Sequence, residues 1–239
     1  MYKLETIQKF LGEVKKFREK YQAMDANDIE ICISEGNSKI GNALNISTVP
    51  IITCGHCKEC LWYCYDIKAC IRFPKNVLDR RVRNLVILQK DRDLFFRLIS
   101  EKMDKRTKNK YFRWHQAGEI IDYDYLDRMV KNAKDHPDYF IWTYTKEYDI
   151  VNSWVSDHLD EVTYKNGHIM VADNFVIMFS EWRGLAMNNP YNFPVFRVVM
   201  VSEGEKLDNE TWVCCGDCSV CKKAHRGCFA NETVQAKDH

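Results

Sequence analysis

Phe175-Val176-Ile177-Met178-Phe179 is a run of five apolar residues with no polar alternation. Such a run fits a strand buried on both faces, and strands of that kind belong to parallel sheets covered by helices. Val195 to Val201 has nearly the same character. Upstream, Tyr139 to Tyr144 and Tyr111 to His115 read as further strands. Between them Leu126, Met129, Val130 and Ala133 recur at helical spacing behind Asp122, a residue type that caps helices. Ile150, Val151, Trp154, Val155 and Leu159 suit another helix. Strands alternating with helices predict an α/β fold with a largely parallel sheet. The expected architecture is a partial or distorted β/α barrel, with an open sheet as the alternative.

Toward the N-terminus, Ile7, Phe10, Leu11, Val14, Phe17 and Tyr21 predict an amphipathic helix within residues 1–28. Ile29 to Ser34 reads as a short strand, followed by the polar loop Glu35-Gly36-Asn37-Ser38-Lys39-Ile40-Gly41. Val49 to Thr53 is β-branched and runs into a cysteine cluster, which places that cluster on a loop past a strand. After Pro74, Val77, Val82, Leu85, Leu88, Phe95, Leu98 and Ile99 supply a long helical face with a break near Asp91. The expected division is an N-terminal helix (1–28), an α/β core carrying the first cysteine cluster (29–212) and a Cys-rich C-terminal metal-binding segment (213–239).

The chain has 239 residues, 46% hydrophobic and 29% charged, with a formal net charge of +1. That is enough for one substantial core, and it offers no global field to recruit nucleic acid or an anionic membrane. Lys102 to Lys110 remains a local basic patch. No apolar run is long enough to span a bilayer, and the first residues lack a signal-peptide core. The expectation is a cytosolic protein with no membrane partner, acting on a small molecule or a nucleic acid.

Ten of the eleven cysteines fall in two clusters: Cys54, Cys57, Cys60, Cys64 and Cys70, then Cys214, Cys215, Cys218, Cys221 and Cys228. Gaps of two residues let thiolates curl around one metal and are poor for disulfides between neighbours. Cys54-x2-Cys57-x2-Cys60-x3-Cys64 has the spacing of ferredoxin-type ligands. Cys215, Cys218 and Cys221 repeat the compact triplet, with Cys228 as a fourth ligand. One or two 4Fe-4S clusters on these eight cysteines is the first reading. Zinc is the alternative, because it accepts C-x2-C pairs and His56 or His225. Cys32 lies in an apolar segment and reads as core, and Cys70 and Cys214 are spare thiols, each either an alternate ligand or inert.

Other polar groups gather near strand ends. Alternation puts Arg113 and His115 on one strand face and Phe112 and Trp114 on the other. With Glu119 four residues on and Lys146 after the next strand, they are the candidate catalytic residues; the plain alternative for His115 is a core histidine. Asn37 and Lys39 are candidates for holding an anionic ligand group, against the plain reading of a solvated turn.

Several motifs in order resemble the gene product 88 family of bacteriophages and of bacterial genomes carrying mobile elements. They are Asn37-Ser38-Lys39-Ile40-Gly41, Cys64-Tyr65-Asp66-Ile67-Lys68, Arg113-Trp114-His115-Gln116-Ala117-Gly118-Glu119 and the C-terminal triplet. The resemblance covers roughly residues 30 to 228. The family pattern has Asp where this chain has Glu119. The layout also resembles radical S-adenosylmethionine enzymes, in which a Gly-Gly-Glu stretch follows the second barrel strand. That likeness implies S-adenosylmethionine as a cofactor, with Gly118 and Glu119 binding it. The spacing at Cys57, Cys60 and Cys64 is C-x2-C-x3-C, the reverse of the usual radical C-x3-C-x2-C. The sequence thus carries two function classes: an iron–sulfur enzyme with reductive or radical chemistry, and a zinc-stabilised module or enzyme acting on nucleic acid.

Overall fold

The apolar run Phe175–Phe179 lies in a strand, β6 (Phe175–Glu181), in the computed structural model of the chain, which describes residues 3–55 and 60–238. Every residue from Phe175 to Ser180 is buried. Its neighbours, β3 (Phe140–Thr145) and β7 (Val195–Val199), both run parallel to it. The remaining strands are β1 (Leu44–Ile46), β2 (Tyr111–Trp114), β8 (Trp212–Val213) and β9 (Val234–Lys237), in the sheet order β1-β2-β3-β6-β7-β9-β8. β2–β3, β7–β9 and β8–β9 are parallel too. The fold is therefore mixed α/β with a mostly parallel seven-stranded sheet. β1 and β8 end the row, and among the described residues no strand pair closes it into a barrel.

The chain packs as two interleaved units. Met1–Ser34, Asn45–Lys108 and His115–Glu119 form the first; Glu35–Leu44, Asn109–Trp114 and Ile120–His239 form the second. The first holds α1 (Leu4–Gln22), α2 (Tyr65–Arg72), α3 (Asp79–Lys90) and α4 (Arg92–Asp104). α1 packs on α2 and α3, and α3 on α4. The break at Asp91 is real: its backbone is extended and its carboxylate accepts from Leu94 N at 2.8 Å, capping α4.

Two expected strands in this unit are absent. Ile29–Ser34 makes a single bridge, Ser34 to Asn45, because the buried side chain of Asn84 takes its polar groups instead. Asn84 Oδ1 accepts from Cys32 N, and Asn84 Nδ2 donates to the carbonyls of Cys32 and Ser47. At Val49–Thr53 the chain turns, with Thr53 N bonded to Val49 O and Ile51 at φ +72°. Pro50 has no amide to give a ladder, so the strand is the earlier Leu44–Ile46.

The second unit carries β2, β3, β6, β7, β9 and β8, with α5 (Tyr123–Asp135), α6 (Tyr148–Asp157) and α7 (Cys218–Ala224). Asp122 caps α5 through Tyr125 N, as expected. One sheet face presents Phe112, Trp114 and Phe179, which meet Tyr125 of α5 and Tyr148 of α6. The hairpin β4 (Thr163–Lys165) and β5 (His168–Met170), joined by Asn166-Gly167 at φ +53° and +79°, went unread although Asn-Gly is a strong hairpin signal. β7 is half-buried rather than buried, with Arg197 exposed, and Leu159 lies exposed beyond α6. Among the described residues no helix is long and apolar enough to cross a membrane.

Candidate metal centre

The other face of the second unit's sheet is built by alternation. Tyr111 and Arg113 point one way from β2, and Phe140, Trp142 and Tyr144 the same way from β3. The C-terminal cysteine segment lies on this face. Phe229 stacks on Phe140 at 4.8 Å between centroids and packs on Tyr111 and Trp142. Cys228 is buried with Trp142, Val176 and Met178, and Cys214 and Cys218 pack against the same cluster.

Local chemistry sets the thiols in place. Cys214 continues β8, its amide bonded to Gln235 O at 2.8 Å. Asp217 caps α7 by accepting from Ser219 N, and α7 puts Cys218 and Cys221 three residues apart on one side. Gly227 turns the chain back so closely that a Cβ there would sit 2.9 Å from Trp212 Cδ1. Cys228 follows at once.

Burial, and then the proximity of Cys218, Cys214 and Cys221, pushes the Cys228 thiol up to about 12, against the Tyr144 hydroxyl 3.0 Å away. Burial likewise pushes Cys218 up to about 11, opposed by Arg113 and Lys39 and reinforced by Cys214 and Cys221. Burial raises Cys221 too, against a 3.3 Å hydrogen bond from Trp212 Nε1. Cys214 and Cys218 thus pack against the cluster that holds Cys228, and Cys221 is close enough to raise both Cys218 and Cys228. Cys215 is exposed, and it is both a hydrogen-bond partner of Cys221 and the foremost charge neighbour of that thiol.

Arg113 is the unusual member. The residue is 9% exposed, its guanidinium lies 4.8 Å from the Tyr144 ring, and its Nε has no hydrogen-bond partner among the described residues. Trp142 Nε1, in the same apolar cluster, is likewise buried without a partner. Two buried donors on the thiol-bearing face thus lack an acceptor among the described residues. Among the described residues, no group of three or more His, Cys, Asp or Glu is already arranged to hold a metal ion.

The family model described as gene product 88 matches residues 14–222. The chain belongs to that family. No curated protein and no solved structure matches it. The match spans the first cysteine cluster and three of the four grouped thiols, and Cys228 lies just beyond it.

In this gene product 88 protein the first unit arranges its cysteines differently. Cys60 and Cys64 are near each other, and burial raises Cys64. Cys70 is fully buried, and its thiol faces Asp66 at 3.6 Å, itself paired with Arg81 at 2.9 Å. Cys54 is half-buried at the turn that follows Thr53. Cys57 and His56 lie outside the described residues.

Beside this loop runs His115–Glu119. The strand ends at Trp114, and His115 at φ +53° leaves it, which breaks the expected alternation from Arg113 to His115. His115 N bonds Ile46 O and Thr48 N bonds Ala117 O, while Ser47 Oγ accepts from Gln116 N and Ala117 N. Gly118 is at φ +92°, and a Cβ on it would fall 2.0 Å from Thr48 Oγ1. The Tyr65 hydroxyl donates to Gln116 O. His115 and Glu119 are both buried.

Of the remaining candidates, Asn37 has a local role: its Oδ1 accepts from Lys39 N and Ile40 N and closes the turn. Lys39 is exposed, and its carbonyl accepts from Cys218 N at 2.7 Å, which ties the early loop to the cysteine helix. Lys146 lies 6.0 Å from the Trp182 ring. His115, Gly118 and Glu119 belong to the first unit, and Arg113 and Lys146 to the second. Cys214, which the sequence leaves open between alternate ligand and inert thiol, packs against the cluster that holds Cys228. The strand before Cys214, which fixes its direction, was not read.

Proposed function

We propose that this protein is a metal–thiolate protein whose main centre is held by Cys214, Cys218, Cys221 and Cys228, and that the group it takes is an iron–sulfur cluster. The observation that carries this reading is the buried Arg113 beside four grouped thiols, with no carboxylate salt bridge among the described residues. A metal bound by four thiolates is an anion, and a buried guanidinium offsets it. Trp212 Nε1 donates to the Cys221 sulfur, and the Tyr144 hydroxyl lies 3.0 Å from that of Cys228, where against a thiolate it can only donate; such donors tune a centre of this kind. Four protein thiols leave no open coordination position, so the role is electron transfer or stapling of the tail to the sheet. Zinc is the competing occupant, since four thiolates are also its full tetrahedral set. Anaerobic purification followed by iron, sulfide and zinc analysis decides between them. Iron and sulfide that persist in Cys60→Ser but are lost in Cys218→Ser support the cluster here. A colourless zinc protein replaces iron by zinc, and a protein that takes neither metal overturns the reading.

A second reading concerns the first unit, favoured by the packing of Gly118 on Thr48 and Thr53 one residue before Cys54. There the buried Glu119 would hold the amino group of S-adenosylmethionine, for the reductive or radical chemistry that the likeness to radical S-adenosylmethionine enzymes implies. Titration calorimetry of the reconstituted protein with S-adenosylmethionine, against Glu119→Ala, tests it; absence of binding removes it.

A further inference from the structure

The stretch from Cys60 to Arg80 shows an exposed surface that the metal reading does not use. α2 is amphipathic in an unusual sense. Asp66, Ile67 and Cys70 are buried, whereas Tyr65, Lys68 and Arg72, three and four residues apart, form one exposed stripe. Tyr63 precedes the stripe and Phe73 follows it; the three aromatic residues Tyr63, Tyr65 and Phe73 are 50%, 60% and 48% exposed. The Arg72 guanidinium lies over the Phe73 ring at 5.2 Å, and Lys75 is exposed in the next turn. The same stretch exposes no acid among its residues. Asp66 is buried against Arg81, and Asp79 is half-buried, bonded to Tyr21 and Arg83. Lys68, Arg72 and Lys75 make no ion pair among the described residues. The Tyr65 ring is held in place by its hydroxyl bond to Gln116 O while it stays open to solvent.

We propose that this face of the first unit binds single-stranded nucleic acid, with Lys68, Arg72 and Lys75 on the phosphates and Tyr65 and Phe73 stacking on bases. Three exposed rings along a basic stripe match an occupant with both flat apolar faces and negative charge. Unpaired bases on a phosphate backbone have both. A duplex offers phosphates but no base faces, and an acidic peptide offers charge without stacking partners.

The test is fluorescence anisotropy of the full, metal-loaded chain with labelled oligo-deoxythymidylate and oligo-uridylate, across a salt series. Binding should weaken as salt rises. The double variant Lys68→Glu with Arg72→Glu should lose at least tenfold in affinity and show a shallower salt dependence. Phe73→Ala should lose about tenfold with the salt dependence unchanged, because it removes stacking and no charge. Circular dichroism keeps these variants honest about folding, and all three positions are exposed. Preference for the ribose or the deoxyribose strand assigns RNA or DNA. Three results overturn the proposal: no binding by the parent chain, a duplex of equal length binding as well as the single strand, or polyglutamate competing fully while Phe73→Ala is neutral. The last result would make the partner an acidic protein.

Discussion

Arg81 in the first unit and Arg113 in the second are both shielded guanidiniums beside cysteines, and they are satisfied in different ways. Arg81 pairs with the buried carboxylate of Asp66 at 2.9 and 3.3 Å, and the Cys70 thiol hydrogen-bonds the same carboxylate. Cation, anion and thiol close on themselves, so Cys70 has a structural role and no call on a ligand. Arg113 faces Tyr144 and Cys218 and has no ion pair with a carboxylate among the described residues. A buried cation costs several kcal/mol when left alone. The difference teaches where to look for a missing anion, and in the second unit it points at the thiols.

The largest effect is expected from breaking the closed pair. Asp66→Ala leaves Arg81 uncompensated and should cost about 4 kcal/mol of stability in urea unfolding. Asp66→Leu with Arg81→Met should recover most of it. A double variant as unstable as the single would show that the pair is not what isolates Cys70.

Next comes Gly118→Ala beside the first cysteine loop. The positive φ and the Thr48 hydroxyl together should cost about 3 kcal/mol, seen as a lowered Tm. Adding Thr48→Ala should return part of that, since only the backbone strain then remains.

Arg113→Met sharpens the comparison directly. Without metal it removes an unpaired buried charge and should stabilise the protein by about 1 kcal/mol. With metal it removes the counter-charge, and metal affinity from chelator competition should fall at least tenfold. The same change in both states would mean that Arg113 serves packing alone. The smallest effect is expected for Tyr144→Phe, which deletes one hydrogen bond to Cys228. The metal-loaded form should lose about 1 kcal/mol or less while the ring packing on Phe196 is kept.

Much of the fold was legible because its signals are local. The unbroken apolar run at Phe175–Phe179 fits a strand covered on both faces, and the helical spacing behind Asp122 carried its own cap. The break at Asp91 was legible for the same reason. The strand expected at Ile29–Ser34 failed on a distant residue: Asn84, some fifty positions on, supplies the hydrogen bonds that a neighbouring strand would have given. The strand expected at Val49–Thr53 failed on Pro50 and the left-handed Ile51, a turn that β-branched composition conceals.

The candidate site divides in the same manner. The sequence by itself determined that the chain is α/β with two thiol-rich segments and that it has the motif order of the gene product 88 family, since spacing and composition are properties of the chain alone. It also put Phe112 and Trp114 opposite Arg113, which alternation requires of any strand. Only the tertiary structure decided that Cys214 packs against the cluster that holds Cys228, that Cys70 is taken up by Asp66, and that Asn37 serves its own turn. Those outcomes depend on which buried charge each group meets after folding. That pairing is set by the packing of segments far apart in sequence, and no local pattern records it.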